Sequence, residues 1–65
     1  MNHYRIRVKL WHENSYTDGG APDEEYITWE RARSPETAEA LAAARADAND
    51  GPFYETSAKA TGETE

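Results

Sequence analysis

Cysteine is absent from this 65-residue chain, which excludes disulfides and thiolate metal sites. The absence is silent on compartment, because a chain this short can lack cysteine by chance. Long apolar runs are absent too. None approaches the length that spans a bilayer, and the opening "MNHYRIRVKL" lacks the apolar centre of a signal peptide. Positive charge is scarce: seven Lys and Arg stand against thirteen Asp and Glu, for a net charge of −6. That argues against non-specific attraction to nucleic acid or anionic membrane through the field of the whole protein. The expectation is a soluble cytoplasmic protein with no membrane association. Apolar content is low as well, with a mean hydropathy of −1.04, so part of the chain is expected to stay unfolded. What remains is one small domain whose core supplies only about 3–5 kcal/mol. With disulfides excluded, self-association is the expected support.

The clearest feature present is alternation. Tyr4, Ile6, Val8 and Leu10 interleave with Arg5, Arg7, Lys9 and Trp11, and period two with β-forming residues predicts a half-buried strand. "EYITWERAR", residues 25–33, reads as a second strand. Ile27 and Trp29 are expected on the core face, with Tyr26, Thr28 and Glu30 on the outer face beside the basic row. Glu30 opposite an Arg or Lys would be a favourable, exposed cross-strand pair.

"SPETAEALAAARADANDG" carries helix signals from end to end. Ser34 is a suitable N-cap and Pro35 fits the first helical position. Glu36 and Glu39 place negative charge near the positive end of the macrodipole. Gly51 is expected as a left-handed C-terminal cap, with Pro52 preventing continuation. Leu41 is expected to centre the buried stripe, with Ala38, Ala44, Ala48 and Ala40 or Ala42 beside it; Glu36, Glu39, Ala43 and Asp47 would face water. "FYETSAK", residues 53–59, predicts a short third strand, with Phe53 or Tyr54 covering the helix end, and residues 60–65 read as a disordered tail. Strand, strand, helix, strand with a right-handed crossover gives an α+β domain over residues 1–59, ββαβ with sheet order 2-1-3 and the helix packed on one face. Both a split β-α-β unit and the first part of a β-grasp satisfy this pattern.

"LWHENSYTDGGAPDEEYITW", residues 10–29, contains a connection long for a hairpin. Asp18-Gly19-Gly20 is a turn signal. It allows Glu13 to Tyr16 to extend the first strand and Pro22 to Tyr26 to begin the second, forming an arm with Trp11, Tyr16 and Tyr26 as aromatic contacts. Such an arm is marginal alone and would seek a partner.

Chemistry-bearing clusters are weak. His12, Glu13, Asp18, Asp23, Glu24 and Glu25 offer one histidine with carboxylates, a poor match to the four nitrogen- or sulfur-rich ligands zinc prefers, and they lack the alternating spacing of a calcium loop. "DANDG", residues 47–51, has its glycine one place early for such a loop and no bidentate Glu at the right distance. His12 beside Glu13 has no nucleophile in a recognised setting, and Gly19-Gly20 is followed by Ala-Pro, where a phosphate-cradling loop continues into a helix carrying Lys. No metal, no cofactor and no enzyme activity are expected. The residues expected to make contacts are Arg5, Arg7, Lys9, Trp11, Tyr16 and Tyr26. A basic face with aromatics suits single-stranded nucleic acid. It is also what protein interfaces favour.

"SPETAEALAAARADA" after a strand resembles the helices that follow a β-hairpin in small proteins of actinobacteria and their phages. The resemblance covers residues 25–50 and implies an accessory or host-interaction protein of a phage; it transfers no functional residue. The function expected is a protein–protein interaction module, homodimeric, whose partners are a second copy and another protein. The alternative is a nucleic-acid-binding or regulatory protein using the Arg5/Arg7/Lys9 face.

Overall fold

The computed structural model describes residues 1–12, 20–51 and 55–65, with Asp50 described in its backbone only. Four elements follow one another: β1 (Asn2–Trp11), β2 (Glu24–Ala32), α1 (Pro35–Asp50) and β3 (Glu55–Thr64). They make an α+β fold with sheet order β2-β1-β3, as expected. β1 is antiparallel to both neighbours. β2 and β3 therefore run parallel to each other with β1 between them, which is the split β-α-β arrangement.

The strongest strand signal in the sequence becomes the central strand. Ile6, Val8 and Leu10 are fully buried against α1, with Tyr4 packed beside them. From the helix the core receives only Ala38, Ala42 and Ala46, spaced four apart on one face. This stripe keeps Ala38 and Ala42 of the expected one and adds Ala46, but it is not centred on Leu41. Leu41 is 38% exposed, and Ala40, Ala44 and Ala48 are exposed. The helix presents its flattest face, because alanines at consecutive turns let its axis approach the sheet closely enough for the three large residues of β1 to fill the gap. A leucine on that line would hold the helix away.

The faces of β2 are inverted relative to the reading of its sequence. Trp29 lies opposite Arg5 and Ile27 opposite Arg7, while Glu30 lies opposite Tyr4 and Thr28 opposite Ile6. Ile27 and Trp29 thus point to the open side of the sheet, and Glu30 and Ala32 lie buried under the helix. A shift of one residue flips every side chain of a strand. A two-residue hairpin would fix that parity; the connection over residues 12–23 does not. Glu30 tolerates burial because Arg45 Nε of α1 stands 3.0 Å from its Oε1. The expected exposed pair between Glu30 and the basic row of β1 is not formed.

Ser34 caps α1 as expected, its Oγ accepting the Thr37 N–H at 3.2 Å. Gly51 ends the helix without a left-handed conformation: its φ is −81° and its N–H donates to the Asp47 carbonyl at 3.0 Å. Glycine is required there by proximity, since a Cβ would fall 2.6 Å from the Asp47 oxygen. Beyond the helix, β3 continues to Thr64 and Glu65 exchanges both backbone hydrogen bonds with His3. Residues 60–65 are therefore part of the sheet, where a disordered tail was expected. Ala60 packs against the core. Between the Ile6–Ala60 and Tyr4–Thr64 pairs β3 carries two extra residues, and Gly62, at φ 96°, supplies the left-handed step this bulge needs. The expected cover of the helix end by Phe53 or Tyr54 lies outside the described residues.

Candidate binding face of the sheet

With α1 on one side, the other side of the sheet has no covering layer among the described residues. Alternation and register decide what it carries. β1 contributes His3, Arg5, Arg7, Lys9 and Trp11; β2 contributes Glu25, Ile27, Trp29 and Arg31; β3 contributes Glu55, Ser57, Lys59, Glu63 and, through its pairing with His3, Glu65. Trp29 and Ile27 are 41% and 39% exposed, each directly opposite an arginine of β1.

Charge is distributed unevenly. The open face holds five of the seven basic residues of the chain and four of its thirteen acidic ones. The remainder of the chain has two basic residues against nine acidic. The open face is thus close to balance, and the rest of the molecule accounts for the negative charge. Two ion pairs tie the face together. Arg7 Nε lies 3.5 Å from Glu25 Oε2, diagonally across the β1–β2 ladder, and Arg5 Nε lies 3.7 Å from Glu63 Oε2. Both are open to solvent on at least one side, Arg5 being half-buried, and contribute only about 0.2–1 kcal/mol each. Lys9 and Lys59 have no carboxylate within ion-pairing distance among the described residues, although Glu25 sits opposite Lys9 in register. Lys59 lies directly opposite Arg7, a like-charge cross-strand pair that costs stability.

Of the six residues expected to make contacts, the structure brings Arg5, Arg7, Lys9 and Trp11 together on this face. Tyr26 is not with them: it lies opposite Val8, on the helix side of the sheet. Tyr16 lies outside the described residues, as does the Glu13–Tyr16 half of the expected arm. The ladder itself ends at Leu10–Glu24. Beyond it, Trp11 Nε1–H donates to the Gly20 carbonyl at 3.2 Å, the Asp23 N–H donates to the Leu10 carbonyl at 2.9 Å, and the Asp23 carboxylate accepts the His12 N–H at 2.8 Å. These bonds fasten the incoming chain to the end of β1 and hold the Trp11 ring in place. Of the expected strand start at Pro22, only Glu24 onward joins the sheet.

Sequence reasoning missed Ile27, Trp29, Arg31 and Lys59 as members of this face. The signal that could have found the first two is Glu30. A carboxylate on the helix side needs a partner from the helix, and Arg45, adjacent to Ala46 of the docked stripe, supplies one.

Chemistry beyond binding has little to work with. His12 Nε2 is 4.0 Å from Glu24 Oε2, and among the described residues no group of three or more His, Asp or Glu side chains converges to hold a metal. No helix among them is long and apolar enough to cross a membrane. Comparison with family models, with curated proteins and with solved structures gave no match for this chain.

Proposed function

We propose that this protein is a protein–protein interaction module that self-associates through the open face of its sheet, forming a homodimer that also engages another protein. The observation that carries the reading is the pairing of an exposed Trp29–Ile27 patch with near charge balance. The rest of the chain carries two basic residues against nine acidic, which disfavours the meeting of two copies there. On this face apolar area is available, and arginines and glutamates stand ready to pair across a two-fold axis, as an isologous interface requires. Tryptophan and arginine are also the residues most enriched among energetic centres of interfaces. The alanine-based core gives the monomer little stability of its own, so burial of this face adds what the single copy lacks. A phage accessory role, which the helix resemblance implies, is compatible with such a module.

Sedimentation velocity on Trp29→Lys and Ile27→Lys variants tests this. Both side chains project to the open side, so the fold is expected to persist by circular dichroism while the dimer dissociates. A variant that stays dimeric removes the open face as the interface.

One observation favours a second reading. The Arg7–Lys59 juxtaposition, with Lys9 alongside, suits a phosphate backbone, and Trp29 offers a stacking surface. A gel shift with single-stranded oligonucleotides at low and high salt separates the two. Retardation lost at high salt supports nucleic-acid binding; none at either salt ends it.

A further inference from the structure

A second surface lies along the outer edge of the sheet. α1 and the outer edge of β3 border a groove of about 460 Å³, lined by Ala40, Ala43 and Ala58 together with Glu36, Glu39 and Glu55. β3 is an edge strand. The Ala60 N–H points away from β1, since it donates to Glu39 Oε2 at 2.7 Å. Backbone direction alternates along a strand, so Ala58, two residues earlier, also turns its N–H and C=O outward. Glu39 closes this edge at Ala60. At Thr56 the side-chain hydroxyl is held by Asp47 Oδ1 at 3.2 Å, which leaves its outward backbone groups open. No described residue satisfies the edge at Ala58.

We infer that this groove receives a short, extended, cationic segment of another protein, which adds as a strand beside Ala58. Strand addition takes affinity from main-chain hydrogen bonds and specificity from alternate side chains. Here the backbone offers the outward donors and acceptors of Ala58 and Thr56, up to the end that Glu39 closes, which suits about three to five extended residues. Three carboxylates against Lys59 select lysine or arginine on the segment, and the alanines of the lining accept a small apolar residue between them. The net charge of −6 steers such a segment inward. A second copy is a poor occupant: β3 against β3 would bring two sets of Glu36, Glu39 and Glu55 together. The groove meets the open sheet face at Glu55, Ser57 and Lys59, while its α1 side and the outward edge at Ala58 lie apart from that face.

The test is an amide chemical-shift titration of the full chain with a capped hexapeptide of alternating lysine and valine, and with its alternating glutamate–valine counterpart. Shifts confined to residues 55–60 and 36–43, with the lysine peptide alone, are expected. Ala58→Pro removes an outward N–H and no ladder bond, and is expected to weaken binding at least about tenfold. Glu36→Lys, at an exposed position, reports the same loss if the proline variant fails to fold. Shifts centred on the open face, equal binding of the acidic peptide, or none with either peptide would each overturn the inference.

Discussion

Glu30 is the residue on which the packing of this small fold turns. Its carboxylate is almost completely buried, while the Arg45 guanidinium that meets it is largely exposed. Arginine therefore keeps most of its hydration while satisfying a carboxylate that water does not reach. Losing the arginine leaves that charge without its partner, at a cost of about 1–3 kcal/mol. Arg45→Met, which keeps the apolar stem, is expected to lower the urea midpoint accordingly, and Glu30→Gln in the same background is expected to recover part of the loss. An unchanged midpoint in Arg45→Met would mean that the pair contributes nothing. The same residue explains what the sequence concealed. Ile27 and Trp29 look like core residues and Glu30 looks like surface, and only the helix, supplying Arg45 and a flat alanine stripe, reverses that ranking.

At the scale of elements, legibility followed the strength of local signals. β1 was readable in its faces and its end at Trp11, because strict alternation has one interpretation, although the strand begins two residues earlier than expected, at Asn2. The helix was readable in its N-cap and length, since Ser34-Pro35 and the alanine run are local features. Its docked face was not, because in a helix this rich in alanine almost every direction is equally apolar and the sheet decides which one docks. Leu41→Ala is accordingly expected to change stability by no more than about 0.5 kcal/mol. Ala42→Leu is expected to cost about 1–3 kcal/mol by forcing the helix from the sheet. Equilibrium denaturation of the two variants reads the difference directly; the reverse order would restore the leucine-centred stripe. β3 beyond Lys59 was illegible for a different reason. "ATGETE" has the composition of a tail, and its order comes from pairing with β1, from the Arg5–Glu63 contact and from the His3–Glu65 hydrogen bonds. Truncation after Lys59 is expected to remove much of a stability that totals only about 3–5 kcal/mol. A truncated chain with an unchanged thermal midpoint would return these residues to a tail.

The molecule as a whole is a three-stranded sheet with one side covered by a helix and the other by none of the described residues. Its charge is divided along the same line, acidic around the helix and connections, near balance on the open side. That division was only partly visible beforehand: the basic row of β1 was evident, but its company of Ile27, Trp29, Arg31 and Lys59 depended on the parity of β2 and the full length of β3. Placed together, they form the surface on which the proposed self-association rests. The most direct measurement is the molar mass in solution by light scattering across a dilution series from about 200 µM to about 2 µM, the range in which a small interface dissociates. Self-association through the open face requires twice the 7.3 kDa of the chain at the upper end, falling toward the monomer on dilution. A mass of one chain throughout would contradict it.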